Sequence, residues 1–174
     1  MANGDTHIRP ATPDDWQAIV DIYNHYVTDT PATFDIEPHT VETRMPYLSQ
    51  FADTGPYRLM VATRAGRVIG YAASVQYSAR AAYDQTVMVS IFLHKDERGR
   101  GTGKALYRHL FAALDGELIH RLVAGITQPN PASEALHAGF GFSQCGLFAE
   151  VGFKFGRYWD VGWYERPFKQ PVKQ

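Results

Sequence analysis

Hydrophobic and polar positions along this chain switch period repeatedly, between short β-branched runs and apolar residues spaced three or four apart. His7-Ile8-Arg9-Pro10 reads as a short first strand. Thr12-Pro13-Asp14-Asp15 then offers a capping threonine, a proline at the first helical position and first-turn acids. Trp16, Ile19, Val20, Tyr23 and Val27 follow on one face, which predicts a first helix. A second helix is predicted over 40–51, with Pro46 set to kink or split it. Residues 57–63 and 68–75 read as strands joined by a tight turn at 64–67.

The run Thr86-Val87-Met88-Val89-Ser90-Ile91-Phe92-Leu93 is apolar and rich in β-branched residues, so it reads as a strand. Ala105, Leu106, Leu110, Ala113 and Leu114 share one face of a predicted helix. A strand over 121–126, a short helix over 131–138 and two strands near 146–151 and 157–166 complete the chain, the last two as a terminal hairpin. Gly139 is expected to end the short helix in the left-handed conformation. The order β-α-α-β-β-β-α-β-α-β-β predicts an α/β fold, a mixed sheet with helices on both faces.

Composition narrows the class without choosing a function. The 174 residues, 45% apolar and 20% charged, suit one domain over 1–174 with a sizeable core, and the polar ends at 1–6 and 169–174 are expected to fray. Net charge is −1 with both signs interspersed, which argues against a nucleic-acid partner. No apolar run is long enough to span a bilayer, and the first residues lack a signal peptide's pattern, so no membrane partner is expected. The single cysteine, Cys145, excludes an internal disulfide and fits a reducing compartment, with the cytoplasm expected. The seven histidines are scattered, and no metal is expected.

Between the strand at 86–93 and the helix that follows lies Arg98-Gly99-Arg100-Gly101-Thr102-Gly103-Lys104. Alternate glycines before a helix let backbone N–H groups and the helix N-terminus point at a phosphate. The spacing is not that of a nucleotide-hydrolysing loop, because Arg98 stands at its first glycine and Ala105 follows the lysine. Glycines at 99, 101 and 103 also fail the dinucleotide fingerprint. What remains, Arg98-x-x-Gly101-x-Gly103, is similar to the pyrophosphate-binding signature of the GCN5-related N-acetyltransferases, and the element order matches that family.

The resemblance covers nearly the whole chain and narrows to the phosphinothricin and methionine-sulfoximine acetyltransferase branch. It is carried by Asn24-His25-Tyr26-Val27, by Ala32-Thr33-Phe34-Asp35-Ile36-Glu37-Pro38, by Ala79-Arg80-Ala81-Ala82-Tyr83-Asp84, by Asn130-Pro131-Ala132-Ser133 through His137, and by Gly152-Phe153-Lys154-Phe155-Gly156-Arg157. It implies acetyl-CoA as co-substrate, a small amino-acid-like amine as acceptor and a homodimer. By position, the backbone of Ile91, Phe92 and Leu93 would bond the pantetheine arm as an added strand. Arg98 through Lys104 would hold the pyrophosphate, and Asn130 and Ser133 would meet the far end of the arm, with Ser133 near the sulfur. On the acceptor side Arg80 would anchor a carboxylate or phosphinate through its planar fork. Phe34 and Tyr83 would wall the apolar part, although Phe34 suits a core role equally well. The turn containing Lys154 would reach the acceptor site, that of a neighbouring subunit included.

One position departs from the pattern. The family's general base is a glutamate on the strand before the glycine loop, and here that position holds Met88. An amine near neutral pH is mostly protonated, so attack on a thioester needs proton removal, which methionine cannot provide. Three accounts remain open: His137 acts as base; a water chain toward Asp84, Ser90 or backbone carbonyls carries the proton; or Met88 reshapes the pocket for a less polar amine. The leading reading is an N-acetyltransferase for a small amino-acid analogue. Its rivals are an acyl-CoA-binding module with little catalysis and an acetyltransferase for a different amine.

Overall fold

The computed structural model describes residues 5–97 and 99–168. Its strands are β1 (His7–Pro10), β2 (Leu59–Arg64), β3 (Arg67–Gln76), β4 (Thr86–Leu93), β5 (Arg121–Thr127), β6 (Ser143–Lys154) and β7 (Arg157–Pro167). Its helices are α1 (Trp16–Asp29), α2 (Val41–Leu48), α3 (Thr102–Ala113) and α4 (Pro131–Ala138). The strands form one mixed sheet in the order β1-β2-β3-β4-β5-β7-β6, parallel between β4 and β5 and antiparallel elsewhere.

Alternation along the strands divides the core in two. Ala62, Ala72, Val87, Val89 and Leu122 face Leu106, Tyr107 and Leu110 of α3, whereas Leu59, Val61, Tyr71 and Ala73 face Ile19, Val20 and Ile22 of α1 and Leu48 of α2. The expectation of helices on both faces holds. The second face is covered unevenly: α1 and α2 pack on β2 and β3, and among the described residues no residue of β5, β6 or β7 belongs to that cluster.

Several local readings change. Helix α2 stops at Leu48, short of 51; Pro46, inside it, cannot donate to a preceding carbonyl. Gly139 keeps a right-handed φ of −63°, and the left-handed residue is Gly141 at 82°, after the chain has made one further turn through the Gly141 N–H to Ala138 carbonyl bond. The terminal hairpin is longer than expected. Of the ends expected to fray, 1–4 and 169–174 lie outside the described residues, and Thr6 is tethered, its hydroxyl accepting from Arg64 at 2.8 Å.

Candidate active site

Strands β4 and β5 pair through three positions, ending at Met88↔Val123, while β4 continues to Leu93 and stays paired with β3. The His94 N–H donates to the Ile69 carbonyl at 2.9 Å, which sets the peptide groups of 88, 90 and 92 toward β3 and those of 89, 91 and 93 toward the gap. At Leu93 that edge is engaged. Tyr26 Oη donates to the Leu93 carbonyl at 2.8 Å and accepts from its N–H at 3.2 Å. The three residues read as one edge therefore divide: Ile91 faces the gap, Phe92 bonds into the sheet, and Leu93 holds Tyr26.

Beyond Leu93 the chain turns at Lys95–Glu97 and enters α3 through Gly99 and Gly101, with φ of 74° and 80°. These left-handed values suit glycine, and a Cβ at either would meet nothing within 4 Å, so a ligand backbone or phosphate can approach closely. Gly103 is different. A Cβ there would lie 3.4 Å from Leu136 and 3.5 Å from Ile91, so its bareness lets α3 pack against α4 and β4 at the foot of the gap.

The loop is anchored from below. Buried Glu97 accepts from Arg64 at 2.6 Å and from the Thr102 hydroxyl at 3.3 Å, and Arg100 lies 3.9 Å away. Arg100 and Lys104 are exposed beside the α3 N-terminus, where cations and a helix dipole together suit an anion. Arg98 lies outside the described residues.

Across the gap stands α4. Asn130 caps it, its side chain accepting from the Ser133 N–H at 3.2 Å, and the Ser133 hydroxyl is 3.3 Å from His137 Nδ1. His137 is 3% exposed and held at both ring nitrogens. Nδ1 donates to the Ser133 carbonyl at 2.8 Å, which leaves Nε2 to accept from Tyr107 Oη at 2.9 Å. Burial pushes its pKa below the ordinary histidine value. With both nitrogens occupied inside the core, His137 is not placed to take a proton from an acceptor directly, and that account is corrected.

Met88, Ser90 and Phe92 alternate onto the other face, toward α1 and α2. Phe92 stands among Tyr23, Tyr26 and Tyr71 at ring separations of 5.2, 5.0 and 5.4 Å. The Arg44 guanidinium lies 4.0 Å over the Tyr23 ring and 4.2 Å over the Tyr47 ring. Burial pushes the Tyr47 phenol up to about 12, against the opposing pull of Arg44 and a Ser90 hydrogen bond. Asp35 accepts from Tyr23 at 2.7 Å and meets His39 at 2.9 Å. Burial resists its ionisation, but these bonds and Arg44 hold its carboxyl below the usual range.

Phe34 and Lys154 meet at one end of this face. The Phe34 ring fills the place a Cβ would take at Gly152 of β6, so it packs on backbone. Lys154 is buried and donates to the Thr33 carbonyl at 2.8 Å and the Tyr26 carbonyl at 3.4 Å. Burial lowers its pKa although Asp35 opposes the shift. Its ammonium joins β6 to the end of α1 and the following loop. Arg80 and Tyr83 stand at the other end, on the exposed turn before β4, with Tyr83 edge-to-face with Tyr77 at 5.4 Å. Asp84 ends that turn and is exposed.

Sequence reading missed Glu97 with Arg64, the Tyr26 hydroxyl and the Arg44 stack. Each depends on at least one partner distant along the chain, and the local hints are the acid immediately before Arg98 and Tyr47, one helical turn after Arg44. Among the described residues, no cluster of three or more His, Cys, Asp or Glu side chains could hold a metal.

Comparison with known proteins places this geometry. Residues 8–163 match the model of the acetyltransferase (GNAT) domain. The chain is 50% identical over 165 residues to a phosphinothricin N-acetyltransferase of Streptomyces coelicolor, covering 94% of this chain and 96% of that protein. It is 33% identical over 154 residues to an L-methionine sulfoximine/L-methionine sulfone acetyltransferase of Pseudomonas paraeruginosa, covering 88% and 90%. The crystal structure of a GNAT-superfamily phosphinothricin acetyltransferase from Sinorhizobium meliloti, in complex with acetyl-CoA, superposes with a TM-score of 0.87 at 33% identity, covering 93% of this chain and 88% of that one.

Proposed function

The chain belongs to the acetyltransferase (GNAT) family, and from that premise we propose that it moves the acetyl group of acetyl-CoA to the α-amine of a small amino-acid analogue of the phosphinothricin, methionine sulfoximine or methionine sulfone type. The observation that carries this reading is the parting of β4 from β5 after Met88↔Val123, with the glycine loop directly beyond β4. Peptide groups at 89 and 91 suit the amides of a pantetheine arm laid in as an extra strand. The open backbone at Gly99 and Gly101, with Arg100 and Lys104 beside it, suits a pyrophosphate. Asn130 and Ser133 border the far side of the gap, and Ser133 is the candidate contact to the thioester sulfur.

On the acceptor face, Arg80 remains the candidate anion anchor and Tyr83 a candidate wall. The family's carboxylate base is replaced by Met88, so we expect slow turnover carried by positioning, with the amine proton leaving through water toward Ser90 or Asp84. The alternative of an acyl-CoA-binding module rests on Met88 alone. A homodimer is supported by the apolar side chains that β6, β7 and their turn expose: Leu147, Phe148, Val151, Phe153, Phe155 and Tyr158. The cytoplasm is the proposed location, and inactivation of a toxic amino-acid analogue the proposed outcome.

Thiol release from acetyl-CoA, measured with L-phosphinothricin and L-methionine sulfoximine for the native chain and for Met88→Glu, tests this. The expected result is saturation by acetyl-CoA, slow transfer, and a gain of about 10²–10⁴-fold with glutamate. Binding of acetyl-CoA with no acceptor acetylated by either form would leave the binding module in its place.

A further inference from the structure

Helix α2 sets Val41, Tyr47 and Leu48 against the core it shares with α1, β2 and β3. Arg44 lies three residues after Val41 and four before Leu48, so it leaves the same side of the helix. A guanidinium on a core-facing side calls for a reason, because a charge taken out of water is costly unless it is paired. Its pairing is slight. A guanidinium carries five N–H donors, and among the described residues Arg44 makes one hydrogen bond with them, from Nη1 to Asp35 at 3.4 Å. The shorter bonds of Asp35 go elsewhere, to Tyr23 at 2.7 Å and His39 at 2.9 Å. Lys154 is a second cation that Asp35 faces. Two cations against one carboxylate leave a positive charge in excess. His39 adds to that excess when protonated, and Met88 brings no acid to offset it.

Two separate contacts place this cation beside the face of β4 that bears Met88. The Tyr23 ring, 4.0 Å from the guanidinium, meets Phe92 edge-to-face at 5.2 Å. The Tyr47 ring, at 4.2 Å, carries a hydroxyl bonded to Ser90, the next residue on that face after Met88. Ring faces hold a cation without engaging its N–H groups. The site is open to solvent: Asp35, Arg44, Tyr47, Met88, Ser90 and Phe92 are each partly exposed, Arg44 over 16% of its side chain. We propose that Arg44 is an anion anchor of the acceptor cleft, its N–H fork taking the oxygens of a carboxylate or phosphinate. This rests on the acetyl-transfer reading above. A guanidinium fork matches either anion in bidentate geometry. Arg80, on the exposed turn at the other end of the face, leaves room for both roles, since phosphinothricin carries two anionic groups and the face two separated arginines. A glutamate at position 88 would offset the excess charge, whereas methionine leaves it for the acceptor to neutralise.

The test reads acceptor KM values in the native chain and in Arg44→Gln, which stays polar and loses both charge and fork. Three acceptors are compared: L-phosphinothricin, L-methionine sulfone and the carboxamide of L-methionine sulfone. The sulfone and its carboxamide differ in the carboxylate, while phosphinothricin and the sulfone differ in the phosphinate. Arg44→Gln is expected to lose about ten- to a hundredfold of the discrimination in the pair whose anion Arg44 holds. Comparing variant with native chain cancels the lower basicity of the carboxamide's amine. A packing defect alone would raise all three KM values together. That outcome, or three unchanged values, overturns the assignment while leaving acetyl transfer intact. If Arg44→Gln does not fold, Arg44→Lys keeps a cation over the rings and loses the planar fork. It is expected to lose a smaller share of the same discrimination, and no loss overturns the assignment.

A second readout is independent of turnover. With CoA in place, calorimetric titration of L-phosphinothricin, which carries both anions, should show binding weakened about ten- to a hundredfold in Arg44→Gln. Equal affinities in native chain and variant overturn the assignment. If the native chain acetylates none of the three acceptors, the acetyl-transfer reading fails, and this titration alone decides the role of Arg44.

Discussion

The loop around Gly99, Gly101 and Gly103 presents peptide groups and bare Cα atoms to the gap, whereas the face bearing Met88, Ser90 and Phe92 is bounded by side chains brought from α1, α2, β6 and β7. The first region is made by backbone conformation over a few consecutive residues. The second is made by contacts such as Lys154 to Thr33 and Phe34 to Gly152, which cross most of the chain. A site made of backbone can be supported from beneath and left open above. A site made of side chains changes character with each replacement.

Separate loss of the two supports would sharpen this contrast. Arg64→Met leaves Glu97 buried without its main partner, and a loss of about 3–5 kcal/mol is expected in denaturant unfolding. In the folded fraction, acetyl-CoA binding should weaken and the acceptor KM stay as it was. Equal damage to both would break the division.

Lys154→Met should act in the opposite sense. Removing charged donors from two carbonyls is expected to lower stability by about 2–3 kcal/mol and to raise the acceptor KM, with acetyl-CoA affinity retained in equilibrium binding. A smaller loss, about 1–2 kcal/mol, is expected for Tyr107→Phe, which leaves His137 Nε2 buried without its donor. If His137 is structural, turnover per folded molecule should keep its pH profile in that variant.

The smallest effect concerns pH. Because burial holds the folded His137 pKa below its ordinary value of 6.5, the unfolded chain binds the extra proton first as pH falls. Its contribution is therefore complete above about pH 6.5 and declines as the pH drops toward the folded pKa. The fall in Tm between pH 8 and pH 5 should be shallower in His137→Gln.

The contrast also explains what the sequence disclosed. Strand β4 and helix α4 were legible to the residue, because their periodicity, the Asn130 cap and the N1 proline are local signals. The glycine loop was legible for the same reason. Strand β6 was underestimated: among its residues all but Gly146, Gly152 and Lys154 are exposed, and its register shifts between Phe148 and Gly152, so no clean alternation marks its length. Lys154 read as part of a turn reaching an acceptor site, because nothing in the sequence around it announces carbonyls at Tyr26 and Thr33. His137 looked available until Tyr107, on another helix, was seen to fill its second nitrogen.

The three-rung junction between β4 and β5 has a consequence for how the molecule opens. It joins β1–β4 to β5–β7 by three rungs, whereas six or more join β2 to β3, β3 to β4, β5 to β7 and β7 to β6, so the two groups are expected to breathe as separate cooperative units in amide exchange. A strand-like ligand lying in the gap would suture them. Acetyl-CoA should then slow exchange in β5 and β7, remote from the glycine loop proposed to hold its phosphates, and merge two openings into one.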